Sequence, residues 1–111
     1  MISSSLNTVF DEHLATAKAS PRGISVATVH GGKGKTLRQL LIVMTAGHGL
    51  ADHESPGEAT LQVLRGRVRV EAQGQVWEGA AGDLLDIPDA RHNLTATEES
   101  AALLTVAVAQ S

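Results

Sequence analysis

Two histidines of this chain occur in similar settings within separate segments, where they could act together. His53 follows a turn-rich stretch and precedes an alternating apolar segment that ends at Gly66. His92 belongs to a second segment, which begins at Gly82 and also contains an apolar run. Imidazole binds transition metals and can also donate or accept a hydrogen bond. The pair therefore predicts either a metal site or a site for a small carboxylate or carbonyl compound.

A metal site would need more donors than these two rings. Catalytic zinc usually has three protein ligands, and the iron facial triad adds a carboxylate to two histidines. Glu58 is the predicted third ligand, with His48 or Asp52 as alternatives. The ion would be a divalent transition metal such as zinc, iron, nickel or manganese. The chain has no cysteine, which excludes thiolate ligands and disulfides.

The spacing within the two segments resembles the two signature motifs of the cupin superfamily. The first motif is a glycine, five residues, His-x-His, three or four residues, Glu, six residues and Gly; the second is a glycine, five residues, Pro-x-Gly, two residues and His. The matching positions are Gly47, His53, Gly66, Gly82, Pro88 and, one residue earlier than expected, His92. The resemblance covers roughly residues 37 to 108. It implies a small, single-domain cupin of the RmlC-like kind, whose strands aim the ligands into a barrel.

The residues that would hold a metal depart from the cupin pattern. Ser55 stands where the second histidine is expected, and Ala59 stands where the glutamate is expected, with Glu58 one position early. An offset of one residue turns a strand side chain to the opposite face. Glu58 could therefore serve as a ligand only if a bulge near Pro56 and Gly57 restores its direction. The metal-binding motifs are degenerate.

Other polar and aromatic residues are expected beside the histidines. His48 and Ser55 lie within the first motif, and Trp77, the only tryptophan, lies on a predicted strand. An indole ring can pack in a core or stack on a ligand. We predict a pocket that includes His48, Ser55 and Trp77.

The elements that must position these residues are short strands separated by turns. Apolar segments recur from residue 24 to the end of the chain at intervals of about 8 to 12 residues, which is typical of an all-β jelly roll. Apolar residues spaced by three and four, with Ser5 or Asn7 as a cap, predict a short helix ending near Ala19. The predicted organisation is a helix and linker over 1–22 and a cupin barrel over 23–111, within one domain.

The segment from Leu37 to Ala46 is apolar on both of its alternating faces. A strand with two apolar faces needs a cover on each side. The barrel core supplies one cover, and either the N-terminal helix or a second subunit supplies the other. A homodimer is expected on this basis, and the family resemblance points the same way.

Composition excludes several classes of partner. The chain has 111 residues, 42% of them hydrophobic, and a net charge of −3, as expected for one ordinary domain. It has one tryptophan, one phenylalanine and no basic stripe, which argues against nucleic-acid binding. It also lacks a membrane-spanning apolar run and the features of a signal peptide, so a cytoplasmic protein is expected.

Three functions remain open at this stage. The first is a cupin that binds a small molecule inside the barrel, with or without a weakly held metal. The second is a metal-dependent enzyme, resembling the dioxygenases or isomerases among cupins, that uses His53, His92 and Glu58. The third is a sensory or regulatory module, because a fold alone does not settle chemistry. The missing ligands favour the first.

Overall fold

The structure, a computed structural model, describes residues 1–55 and 57–108 and consists of two antiparallel sheets preceded by a helix. Residues 109–111 of the predicted barrel and Pro56, beside which a bulge was expected, lie outside the described residues. In chain order the elements are α1 (Leu6–Ala19), β1 (Ile24–His30), β2 (Leu37–Met44), β3 (Gly49–His53), β4 (Glu58–Arg65), β5 (Arg67–Ala72), β6 (Gln75–Ala80), β7 (Leu84–Asp86), β8 (His92–Ala96) and β9 (Ser100–Ala107).

The nine strands described form one sheet of five and one of four. The five-stranded sheet has the order β1-β2-β9-β4-β7, and the four-stranded sheet has the order β3-β8-β5-β6. Strands that are distant in sequence are neighbours in both sheets, as β2 and β9 show. This arrangement confirms the predicted all-β jelly-roll class with a short N-terminal helix, although among the described residues the two sheets are separate and do not join into a closed barrel.

Aliphatic side chains from both sheets pack together in the space between them. They come from alternate positions of each strand, as expected where one face of a strand meets the core. The buried members are Ile42, Met44, Leu61, Val63 and Ala102 from the five-stranded sheet and Val68, Val70, Leu94 and Ala96 from the four-stranded sheet. The inner faces of the two sheets thus create the apolar surroundings in which a site could form.

Helix α1 begins and ends where the sequence predicts. The Ser5 hydroxyl accepts a hydrogen bond from the Thr8 N–H at 3.3 Å, so that Ser5 is the N-cap, and the helix ends at Ala19. Within the described part of the chain, no helix combines the length and the apolar character that spanning a bilayer requires.

The helix covers the second apolar face of β2. Phe10 and Ala17 of α1 pack with Leu41 and Val43 of β2 in a cluster separate from the inner core. Ile42 and Met44, at the alternate positions of the same strand, face inward. The strand therefore has both of the covers that it needs within one chain, and its two apolar faces no longer argue for a second subunit. The homodimer remains a prediction.

Candidate functional site

His53 and His92 come together on neighbouring strands of the four-stranded sheet. They are directly paired in the antiparallel register of β3 and β8. The centroids of the two imidazole rings are 4.3 Å apart, and the ring planes meet edge to face at 63°. His92 is buried, with 5% of its surface exposed, and His53 is half-buried. Two residues from separate sequence motifs thus form one polar pair at the inner side of the sheet.

A β-bulge in β3 directs His53 inward. Leu50 pairs with Leu94 and His53 pairs with His92. The paired residues are therefore three positions apart in β3 but only two positions apart in β8. In a regular strand, residues three positions apart face opposite sides, and Leu50 and His53 would be separated. The extra residue lets both line the same cavity. Strand β8 needs no such device, because His92 and Leu94 are two positions apart.

Both histidines use the same ring nitrogen to hold their orientation. Nδ1 of His53 lies 2.8 Å from the carbonyl oxygen of Ala51, and Nδ1 of His92 lies 2.8 Å from that of Ala90. A carbonyl oxygen can only accept, so each Nδ1 carries a proton and donates. In the neutral ring Nε2 is then an acceptor. The backbone therefore assigns the same tautomer to both rings and leaves Nε2 of each for a ligand.

The two imidazoles line a cavity of ≈ 180 Å³ between the sheets. The remaining lining is aliphatic except for one carboxylate, Glu54. The aliphatic members are Ile42, Leu61 and Leu104 from the five-stranded sheet, Leu50, Val70 and Leu94 from the four-stranded sheet, and Ile87 from the segment after β7. The site is thus an apolar chamber with its polar groups gathered on the histidine side.

Glu54 is a lining residue that sequence reasoning missed. It directly follows His53, and strand alternation would turn it away from the cavity, but β3 ends at His53 and alternation no longer applies. Its side chain is 77% exposed and lies 3.5 Å from the guanidinium of Arg91. Glu54 and Arg91 therefore form an exposed ion pair at the entrance.

Glu58, the predicted third metal ligand, lies outside this cavity. It begins β4 and is exposed, beside a surface depression that it shares with Asp86 and Asp89. The pairing of β4 with β9 runs without a break from Glu58 to Leu61, so no bulge among these residues reverses its direction. Ala59 is therefore the residue that faces inward, and Glu58 faces away from the histidines.

The three residues predicted to complete the pocket lie elsewhere. His48 is exposed, and its ring packs against Gly23 with Nδ1 2.9 Å from the Thr45 hydroxyl. The Ser55 hydroxyl donates to the carbonyl oxygen of Gly57 at 3.0 Å in a local turn. Trp77 lies over Gly79, where a Cβ would collide with its ring, and lines a different depression. None of these three is among the residues that line the cavity with the histidines, where aliphatic residues accompany them.

The donor set does not fit the metal that the cupin resemblance implies. Among residues 1–55 and 57–108, no three histidine, aspartate or glutamate side chains form a group that could hold a metal ion. His53 and His92 provide two nitrogen donors, whereas a zinc or iron centre usually needs three protein ligands. Ala59 offers no donor at the inward position next to Glu58. The groups that this site offers to a ligand are therefore the two imidazoles, the Glu54 carboxylate and the aliphatic walls.

Solved structures with the same fold include several small bacterial proteins. A conserved protein of unknown function from Streptococcus pyogenes is 22% identical, with a TM-score of 0.72 over 83% of this chain and 80% of that chain. A cupin superfamily protein from Desulfitobacterium hafniense is 14% identical, with a TM-score of 0.70 over 78% of each chain. An RmlC-like cupin from Desulfovibrio desulfuricans is 24% identical, with a TM-score of 0.66 over 76% of this chain and 81% of that chain. No protein-family model and no curated protein matches the sequence.

Proposed function

The chain has the cupin fold, and we propose that it binds a small, mostly apolar molecule between its two sheets, with a polar head group held by His53 and His92. The observation that carries this proposal is the convergence of two paired imidazoles on one cavity whose other walls are almost entirely aliphatic. A concave apolar pocket with a few converging polar groups is the usual form of a small-molecule site.

The volume of the cavity limits the size of the ligand. An engineered apolar cavity of roughly 150 Å³ in another protein holds one benzene molecule. A chamber of ≈ 180 Å³ therefore suits a body of about that size with one head group attached. Branched or cyclic hydrocarbon skeletons would contact all of the aliphatic walls, whereas sugars and nucleotides are too large and too polar.

The polar groups favour a ligand that forms hydrogen bonds at one end only. A polar atom that loses water on ligand binding and gains no hydrogen bond costs roughly 1–3 kcal/mol, so a head group that meets Nε2 of His92 avoids a penalty that a wholly apolar ligand would incur. The aliphatic walls contribute affinity but little orientation. Binding would therefore place the head group against the His53 and His92 rings and the hydrocarbon part against Leu61 and Leu104.

The proposal assigns ligand binding and no reaction. Two nitrogen donors are fewer than a resident catalytic metal usually requires, and Glu58 faces away from them. The enzyme alternative with His53, His92 and Glu58 as ligands is therefore less well supported than binding alone.

The test uses protein purified without a chelator and without a histidine tag. Native mass spectrometry and elemental analysis of the same sample should reveal less than stoichiometric transition metal, and small apolar compounds should raise the melting temperature. His53→Gln should reduce this shift, while His30→Gln, a change at an exposed histidine outside the cavity, should leave it unaltered. One metal per chain, lost in His53→Gln, would instead support the metalloenzyme alternative and overturn the proposal.

A further inference from the structure

The cavity presents hydrogen-bond acceptors to its ligand. Nδ1 of His53 and of His92 is bound to a backbone carbonyl, so the nitrogen left to each neutral ring is the acceptor Nε2. The third polar member of the lining, Glu54, is an acceptor as an ionised carboxylate. The described residues that line the cavity include no serine, threonine, asparagine, glutamine, lysine, arginine, tyrosine or tryptophan, so none of these side chains donates a hydrogen bond there.

From this imbalance we infer that the ligand is a small apolar primary amine, bound as its ammonium ion; the inference rests on the proposed function. An ammonium group carries three hydrogens and no acceptor, which complements two imidazole nitrogens and one carboxylate. An alcohol supplies one hydrogen for three acceptors. A carboxylate supplies none and would face Glu54 as a like charge.

Glu54 is available to such a ligand although it is paired with Arg91. Their contact is long, 3.5 Å, and the two side chains are 77% and 61% exposed. Ion pairs this exposed contribute little to stability, because water screens them and both side chains lose freedom. Arg91 is also near the carbonyl oxygen of Asp52, at 3.4 Å, and can keep that contact when Glu54 turns to the ligand. The carboxylate then closes the entrance over the ammonium group.

The polar groups of the cavity lie on one side of it, which suits a ligand with its charge at one end. The histidines and Glu54 are consecutive or directly paired residues at the end of β3 and the start of β8, on one side of the chamber. The aliphatic residues occupy the rest. An amine with a compact hydrocarbon body can therefore keep its charged end near the solvent-exposed Glu54 while its body is removed from water.

The inference is tested by calorimetric titration with four probes of the same shape: benzylamine, benzyl alcohol, benzoate and toluene. A chelator is present throughout, and the pH is 8, where imidazoles are ordinarily neutral and alkylammonium groups ordinarily charged. Benzylamine should bind at least about tenfold more tightly than any other probe, since charge-assisted hydrogen bonds are the stronger ones. If benzyl alcohol or benzoate binds as tightly as benzylamine, the amine inference is overturned and the proposed function stands. If toluene binds as tightly, the role of the two histidines in the proposed function is overturned as well. If none of the four binds, both fail.

Two exposed glutamates provide a matched pair of variants. Glu54→Gln should weaken benzylamine about two- to fivefold, the range expected from an exposed charge pair, and should leave benzyl alcohol unchanged. Glu58→Gln, which removes an equal charge from a residue facing away from the cavity, should change neither affinity. An unchanged benzylamine affinity in Glu54→Gln would contradict the ammonium assignment, because the carboxylate would then have no part in recognition.

Discussion

The amide of Asn93 donates a hydrogen bond to the carboxylate of Asp52 at 3.1 Å, across the strand pair that carries the histidines. Asp52 lies within the β3 bulge, and Asn93 lies between the two β8 residues that pair on either side of it. The contact therefore holds the bulge in place from the outer face, while His53 and His92 meet on the inner face.

Asn93→Ala is expected to loosen the bulge. The loss of one exposed hydrogen bond should reduce the free energy of unfolding by at most about 1.5 kcal/mol. The NMR signals of the His53 ring should shift more than those of His92, since His92 lies in a regular strand. Thr95→Ala, on the same strand, serves as the control and should leave the His53 signals unchanged. If the His53 signals shift equally in both variants, Asn93 has no specific part in orienting His53.

Val70→Phe is expected to fill the cavity. Val70 lines it, so a larger ring can enter empty space, and the ligand-free protein should gain about 0.5–2 kcal/mol, as cavity-filling changes commonly do. Binding of benzylamine should be lost. The same substitution at Val43, a fully buried residue under the helix, should instead cost about 1–3 kcal/mol through overpacking. Thermal unfolding measures both, and destabilisation of equal size at the two sites would argue against a vacant chamber at Val70.

Ser100→Ala is expected to weaken the connection between the two sheets. The fully buried Ser100 hydroxyl of β9 accepts from the Arg67 N–H of β5 at 3.1 Å and lies 2.7 Å from the carbonyl oxygen of Glu98. Without it the Arg67 N–H loses its partner, at a cost of about 1–3 kcal/mol. Urea unfolding of this variant should show a lower midpoint, whereas Ser3→Ala, at an exposed residue, should unfold like the parent. Similar midpoints for all three proteins would refute the bridging role.

Phe10→Ala is expected to release the helix from β2. Phe10 is 7% exposed in the cluster with Leu41 and Val43, and the Arg65 guanidinium lies 4.4 Å from its ring centroid. Removal of a buried phenylalanine costs about 3–5 kcal/mol. Sedimentation should also show more concentration-dependent association than in the parent protein, because the outer face of β2 becomes accessible. Asp11→Ala, one residue further along the helix and exposed, is the control. Stability and association equal to those of the parent protein would show that the helix is not a necessary cover.

Local patterns predicted the helix, and the resemblance to the two cupin motifs implied the convergence of the histidines. Ser5 and the apolar spacing that follows it determine α1 through contacts within a few residues. His53 and His92 were expected to meet because the two motifs that contain them resemble the cupin motifs that supply ligands to one site, and the register of β3 with β8 pairs them.

The remainder of the site depends on contacts between distant segments. The bulge in β3 arises from its pairing with β8, and the first motif alone does not indicate it. Glu58 was expected to face inward only with a bulge near Pro56 and Gly57, and from Glu58 to Leu61 its strand pairs with β9 without a break, with Ala59 at the buried position. Glu54 enters the lining because β3 ends one residue earlier. The aliphatic walls combine residues from both sheets, which no single strand reveals.

The bulge in β3 also decides which side chain of that strand faces the space between the sheets. If β3 paired regularly with β8 from Leu50 onward, Asp52 would take the inward place opposite His92 and His53 would turn to the outside. An acidic donor would then replace a basic one without any substitution. A shift of one residue along this short strand would thereby change the kind of ligand that the interior can bind. The hydrogen bond from the Asn93 amide to Asp52 stabilises the observed register.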